Sequence, residues 1–257
     1  MVDKKRLDIW LFEKGLAQSR THAQELVEAG QVYLNQNGQR QVLKKSNYSV
    51  DPVNADITVD AGPANRFVSR GGLKLEGALK HVGLLAKGLN VLDVGISTGG
   101  FTDCALQAGA GYVLGVDVGH GQVNAQLLRN PKLKVIEGVN ARALSSDPAV
   151  FEATPENGFD LIVMDVSFIS IEMIIPELGR FLKQTGHLLS LVKPQFEVGI
   201  DGLSKGGIVK DVSLYAKVEK KIKACCEAHG FIVKDYFASS IEGKDGNHEF
   251  FVFAKKS

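Results

Sequence analysis

The stretch Asn90 to Leu106, NVLDVGISTGGFTDCAL, brings an acid, a cluster of glycines and a helix start together. Glycine is required where the backbone must approach a ligand closely, and free N–H groups at a helix start favour an anionic or electron-rich partner. The spacing Asp93-x-Gly95-x-x-x-Gly99-Gly100 lacks the Gly-Lys-Ser/Thr of a phosphate loop and does not fit Gly-x-Gly-x-x-Gly. Asp117 closes the next apolar run, Tyr112 to Val116, where a carboxylate can hydrogen-bond ribose hydroxyls. Asp165 follows the core run in VMDVSF, and Lys193 follows another in LVKP. A lysine beside buried apolar residues and close to other charges can give up its proton more readily, and a positioned base is what a hydroxyl nucleophile requires. Each feature also has a plain structural reading, as an ordinary strand-to-helix turn or an ion pair at a strand end.

These groups need a scaffold that collects strand ends. Strand signals at Asn90–Val94, Tyr112–Asp117, Lys134–Glu137, Phe159–Asp165 and Leu188–Val192 alternate with helical signals at Ser69–Val82, Phe101–Ala108, Val123–Asn130, Ser170–Leu182 and Asp211–His229. The glycine pair Gly71-Gly72 moves the expected start of the first of these helices toward Leu73. Phe231–Ala238 and Glu249–Ala254 read as two last strands joined by Gly243-Lys244-Asp245-Gly246-Asn247. The alternation indicates an α/β fold with a mostly parallel, doubly wound sheet and an antiparallel end, and such sheets bind ligands at the carboxyl ends of their strands. Ahead of it, helical spacing at Arg6–Lys14 and after Ser19 is followed by short strands at Gln31–Leu34, Gln39–Leu43, Tyr48–Val50 and Ile57–Val59, with Asn37-Gly38 as a hairpin signal. This predicts a small α+β domain over residues 1–60, a linker over 61–68 and the larger domain over 69–257.

Composition narrows the function class. With 257 residues and 44% hydrophobic content the chain can bury a sizeable core. The longest run without Asp, Glu, Lys or Arg, Cys104 to Val116, is far shorter than the roughly 20 residues of a membrane span. No secretory signal is visible, so a cytoplasmic protein is expected. Cys104, Cys225 and Cys226 have neither metal-ligand nor disulfide spacing and read as reduced packing residues, and no metal is expected. Residues 1–50 carry eight Lys/Arg against five Asp/Glu and residues 64–90 five against one, while 51–63 and 91–257 are net acidic. That asymmetry permits an anionic ligand on the N-terminal side and supports RNA only weakly by itself.

The first segment resembles the small RNA-binding domain named after a ribosomal protein and found in pseudouridine synthases and tyrosyl-tRNA synthetases. The resemblance rests on Arg6-Leu7-Asp8, Ser19-Arg20 and Ala29-Gly30-Gln31-Val32-Tyr33-Leu34-Asn35. It implies that Lys4, Lys5, Arg6, Arg20, Lys44 and Lys45 neutralise RNA phosphates, with Arg66 and Arg70 extending the basic set. The glycine loop resembles the S-adenosylmethionine site of Rossmann-like methyltransferases, especially the FtsJ-like ribose methyltransferases. By that resemblance Asp93, Gly95, Ser97, Thr98, Gly99, Gly100, Asp117, Asn140 and Asp165 form the cofactor site. The family's Lys-Asp-Lys-Glu set falls on Lys74 (SRGGLKL), Asp165 (VMDVSFIS), Lys193 (LVKPQFE) and Glu249 (GNHEFF). Lys193 would be the base, and the other three would hold its charge state and orient the ribose.

An RNA-binding module followed by such a methyltransferase resembles the TlyA family of ribosomal RNA 2′-O-methyltransferases, some of which are labelled haemolysins. The resemblance covers essentially the whole chain and implies methylation of cytidine ribose in small- and large-subunit ribosomal RNA or subunits. Where some relatives have Arg-x-Trp-Val, this chain has Asn65-Arg66-Phe67-Val68. A membrane-lytic protein and a non-catalytic RNA-binding or assembly factor are the competing readings. His248, beside Glu249, is expected to be an exposed or satisfied histidine, and Asn140 can equally serve a turn. Oligomeric state is not legible in the sequence.

Overall fold

The computed structural model describes residues 4–17, 19–36, 38–60, 66–243 and 246–257, and the chain divides into two compact units, residues 1–73 and 74–257. Asn37 of the hairpin signal, residues 61–65 of the linker, and Lys244 and Asp245 lie outside the described residues.

In the first unit, β1 (Lys5–Arg6) leads directly into α1 (Leu7–Glu13), followed by α2 (Arg20–Glu28), β2 (Val32–Gln36), β3 (Gln39–Val42), β4 (Ser49–Val50) and β5 (Ile57–Val59). Arg6 is therefore strand, not the start of a helix, because Lys5 and Arg6 pair antiparallel with Val50 and Ser49. Ser19 caps α2 by accepting from the His22 N–H at 3.0 Å, which satisfies a donor that the helix cannot. The apolar faces of both helices (Leu7, Trp10 and Leu11; Ala23, Leu26 and Val27) close over Val32 and Leu34 of the antiparallel sheet β3-β2-β5.

α3 (Gly71–Val82) starts at the glycine pair itself, two residues before Leu73. Gly72 itself is required there sterically, because a Cβ on it would enter the ring of buried Phe67. Then come β6 (Asn90–Val94), α4 (Gly100–Gln107), β7 (Tyr112–Asp117), β8 (Leu133–Glu137), α5 (Pro148–Ala153), β9 (Phe159–Met164), α6 (Ile175–Leu178), β10 (Leu182–Val192), α7 (Ser213–Ala228), β11 (Phe231–Ala238) and β12 (Phe250–Lys256). The sheet order is β11-β12-β10-β9-β6-β7-β8; β10, β9, β6, β7 and β8 are parallel, and β12 is antiparallel to both of its neighbours. This is the expected Rossmann-like α/β arrangement with an antiparallel last strand, which inserts between β10 and the edge strand β11. Leu161, Ile162, Val163 and Met164 of β9 are all fully buried, as a strand covered on both faces must be.

Two expected helices are not formed. Over 123–130 the only helical turn is a 3₁₀ turn at Leu127–Arg129, because the Asn124 side chain accepts from the Gln126 N–H at 2.8 Å and its own N–H donates to the Thr98 carbonyl at 3.2 Å. Over 170–182 the chain forms 3₁₀ turns at Ile171–Met173 and Gly179–Phe181 around the four-residue α6, whose first turn holds Pro176. β10 begins at Leu182 rather than Leu188, with a register shift between Leu182 and His187. Among the described residues no helix is long and apolar enough to cross a membrane. Cys104, Cys225 and Cys226 are free thiols.

The central strand sets the stability of the second unit. Ile162→Ala is expected to destabilise it by about 2–5 kcal/mol, the range for a large aliphatic side chain deleted from a close-packed core; the shift in the denaturant midpoint measures it.

Candidate active site

Chain order runs outward from β6 to β7 and β8 on one side, then returns to place β9 and β10 on the other. The direction therefore reverses between β6 and β9, and loops leaving adjacent carboxyl ends there diverge and open a crevice. Gly95 and Asp165 are the first residues beyond the paired tips Val94 and Met164. Gly95 takes φ +86°, and a Cβ there would stand 2.6 Å from the Asp165 carbonyl oxygen, so only glycine fits. Gly99, at φ +98°, caps α4, and a Cβ on it would enter the Leu127 side chain.

The crevice is a cavity of about 980 Å³ lined in part by Gly95, Ser97, Asp117, Asn140 and Asp165, five of the expected cofactor residues. Both carboxylate oxygens of Asp117 are anchored, one by the Ser97 N–H and one by the Gly119 N–H, each at 2.8 Å. Asn140 accepts from the Arg142 N–H at 3.1 Å and so shapes the turn at the cavity wall. The other expected cofactor residues do not line the cavity. Asp93 is fully buried beneath the loop, Gly99 and Gly100 are buried in the start of α4, and Thr98 is half-buried.

Asp93 Oδ2 accepts from Thr102 Oγ1 at 2.6 Å, while Oδ1 has no hydrogen-bond partner among the described residues. Burial raises its pKa to about 7, the Thr102 hydrogen bond opposes that rise, and the Asp165 and Asp117 charges reinforce it.

Lys193 and Asp165 stand at the tips of β10 and β9, with Lys193 Nζ 2.6 Å from Asp165 Oδ1 and donating to Ser167 Oγ at 2.9 Å. On the next strand Glu249 precedes Phe250, which is paired with Val192, so Lys193 and Glu249 lie one position past the last register pair of β10 and β12. Glu249 Oε2 is 2.5 Å from Lys74 Nζ, which comes from the first turn of α3, and both side chains are buried. Gly243 leaves the room that Glu249 fills, since a Cβ there would meet Glu249 Oε1 at 2.8 Å. All four residues of the expected Lys-Asp-Lys-Glu set thus stand at one edge of the sheet as two ion pairs on neighbouring tips. His248 is exposed, 3.9 Å from Glu242 and edge-on to Tyr215.

Several cavity residues were missed in the sequence: Gln122, Arg142, Ser167, Phe168, Ser170 and Phe196. Phe168 is 91% exposed and takes φ +63°, strain unusual in a non-glycine residue, and its ring lies 5.2 Å from that of Phe196. The signal available was an aromatic placed three residues after Asp165 and another three after Lys193. Buried Glu197 fastens this rim: it accepts from Ser170 Oγ at 2.6 Å and the Ile171 N–H at 2.9 Å, and lies 3.5 Å from Lys221 of α7.

In the first unit the expected basic residues Lys4, Lys5, Arg6, Arg20, Lys44, Lys45 and Arg66 are exposed, and Arg70 is half-buried. Lys5 pairs with Glu13 at 2.6 Å, and the Arg66 guanidinium lies over the Phe67 ring. Arg6 and Arg20 are brought together on Asp8.

A model of the FtsJ-like methyltransferase family matches residues 67–256, and a model of the S4 domain matches residues 5–53. The Bacillus subtilis protein YqxC is 42% identical over 248 residues, covering 96% of this chain and 84% of its own. A Mycobacterium tuberculosis protein, 16S/23S rRNA (cytidine-2'-O)-methyltransferase TlyA, is 35% identical over 258 residues, covering 99% of this chain and 91% of its own. A solved Streptococcus thermophilus structure that carries the hemolysin name aligns with a TM-score of 0.75 and 36% identity, covering 100% of this chain and 90% of that one.

Two tests follow from the geometry. Gly95→Ala is expected to distort the β6 loop and weaken S-adenosylmethionine binding by at least about tenfold, since left-handed strain and a backbone clash act together; calorimetric titration reads it. Asp93 carries a folded-state pKa above its unfolded value, so its contribution to stability is present at low pH and is lost as pH rises through about 7. Asp93→Asn should therefore flatten the pH dependence of the unfolding midpoint between about pH 4 and about pH 8.

Proposed function

The chain belongs to the FtsJ-like methyltransferase family, and on that premise we propose that it methylates a ribose 2′-hydroxyl of ribosomal RNA with S-adenosylmethionine as donor and Lys193 as general base. The observation that carries the reading is the pair of ion pairs, Lys193–Asp165 and Lys74–Glu249, on neighbouring strand tips beside a glycine-floored cavity.

The cavity suits the donor. Its volume falls within the roughly 300–1,000 Å³ range of small-molecule sites. Val116, Val139, Val166 and Ile174 supply apolar walls for an adenine ring, and anchored Asp117 supplies an acceptor for ribose hydroxyls. Gly95 lets the ligand approach the backbone. S-adenosylmethionine, once bound, supplies an electrophilic methyl group.

The chain's own residues do the rest. A ribose hydroxyl is a weak nucleophile until its proton is removed, and Lys193 takes that proton on Nζ. Asp165 and Ser167 aim the amine, and the Asp165 carboxylate stabilises the ammonium that forms. Glu249 and Lys74, compensating each other in a buried position, give the acceptor ribose a fixed wall. Phe168, held out at the rim, gives a nucleobase an aromatic face to stack on.

The S4-domain match over residues 5–53 and the exposed basic residues of the first unit support a structured RNA as substrate. Ribosomal RNA, and cytidine within it, are supported by the similarity to the Mycobacterium tuberculosis 16S/23S rRNA (cytidine-2'-O)-methyltransferase. Such a substrate places the enzyme in the cytoplasm.

Purified protein incubated with ribosomal subunits or their RNA and labelled S-adenosylmethionine should deposit ribose methyl groups at defined nucleotides. Lys193→Ala is expected to keep the fold and donor affinity while methyl transfer falls about 10²- to 10⁴-fold, the size of a general-base contribution. Full activity in that variant overturns the assignment.

A further inference from the structure

Asp8 sits in the first turn of α1, and its side chain is fully buried within the small first unit. A carboxylate taken out of water is costly unless it is well paired. Its partners are numerous. Arg6 grips it in a bidentate fork, Nε to Oδ1 at 3.0 Å and Nη2 to Oδ2 at 2.9 Å. Gln24 Nε2 donates to Oδ2 at 2.9 Å and the Ile9 N–H to Oδ1 at 3.0 Å, and Arg20 Nη2 lies 3.5 Å from Oδ2. These contacts, the Arg6 hydrogen bond first among them, hold the Asp8 carboxyl well below the usual carboxylate range.

The arginines themselves are not buried. Their side chains are 50% and 55% exposed, so one buried anion tethers two half-exposed guanidinium groups from different elements. One arginine would have sufficed to neutralise Asp8. Each guanidinium carries five N–H donors in a rigid plane, and Asp8 occupies only part of them. The backbone beside Asp8 is also fixed: the Asp8 N–H donates to the Ser46 carbonyl at 3.0 Å and the Leu7 N–H to the Tyr48 carbonyl at 2.8 Å. Exposed Lys44 and Lys45 therefore enter the segment that runs alongside the pair.

We propose that Asp8 is a positioning residue for RNA binding: it pre-orders Arg6 and Arg20 as a two-guanidinium fork for a backbone phosphodiester. A free arginine surrenders its rotamer freedom on binding, whereas one already held on a buried carboxylate surrenders less. Guanidinium planes match phosphate oxygens in parallel pairs, so order translates into contact. The proposal rests on the reading of ribosomal RNA as the substrate.

The test measures affinity of the full chain for transcribed small-subunit ribosomal RNA. Asp8→Asn keeps the shape of the side chain and adds one unit of net positive charge. Charge alone then predicts equal or tighter binding. Loss of pre-ordering instead predicts binding weaker by about tenfold, the size of one lost charge-assisted contact, with S-adenosylmethionine affinity unchanged. The double variant Arg6→Lys and Arg20→Lys keeps both charges but loses the fork, and it should weaken binding by at least as much. It decides the matter if circular dichroism shows that Asp8→Asn unfolds the first unit. RNA affinity at the parent level or tighter in folded Asp8→Asn, or parent-level affinity in the lysine pair, overturns the proposal. Absence of RNA binding by the parent chain would instead overturn the substrate reading itself.

Discussion

The close approach of two backbones at the centre of the large sheet governs what this molecule can bind. β6 and β9 run parallel and in register to their tips, Val94 against Met164, and the residues just beyond, Gly95 and Asp165, pass so closely that no side chain fits on Gly95. Because the chain turns one way after β6 and the other way after β9, the space above that contact stays empty of protein. The cavity walls, the acid at Asp117 and the pair at Asp165 and Lys193 all take their positions from it.

Charge is distributed along this edge by contrast. Lys193 with Asp165 and Lys74 with Glu249 are compensated pairs, so their removal from bulk water is tolerable and each group has a fixed partner. Asp93 lies deeper, where Oδ2 accepts from the Thr102 hydroxyl and Oδ1 has no partner among the described residues. Burial pushes this carboxylate toward its neutral form, the Thr102 hydrogen bonds oppose that only in part, and the two nearby acids push the same way as burial. The loop therefore sits over a buried carboxylate pushed toward its neutral form, while the strand tips beside it carry ion-paired groups.

Much of this was legible in the sequence, and the failures have physical causes. Leu161 to Met164 was readable as a strand because burial on both faces leaves an unbroken apolar run, and Val91, Leu92 and Val94 because they flank a single acid in an otherwise apolar one. Gly95, Asp117, Asp165 and Lys193 were readable as candidate site residues because each terminates such a run, and strand ends converge in a parallel sheet. The stretch 170–182 misled because Ile174, Ile175, Leu178 and Phe181, at helical spacing, are all fully buried, yet Pro176 and Gly179 break the helix that would connect them. Leu127 misled differently: it packs against Gly99, a contact from a distant part of the chain that local periodicity does not encode. Phe168 and Phe196 escaped notice because apolar residues in a short loop read as core, whereas Phe168 projects outward on a strained backbone. Thr98, Gly99 and Gly100 were grouped with the ligand contacts by resemblance to the Asp-x-Gly-x-x-x-Gly-Gly loop, and they are not among the residues that line the cavity.

Glu197 ties the turn that follows Lys193 to Ser170 and Ile171, just past the aromatic rim, and also lies close to α7 through Lys221. Lys193 and the aromatic rim of the crevice are consequently tied to each other through one buried carboxylate. On the proposed reading, a flexible nucleic acid meeting a rim so tied would itself supply the adjustment, so the entropic burden of the encounter would fall on the polynucleotide and not on the enzyme. That division favours targets already splayed away from their own helices, for which most of the ordering has been done before contact.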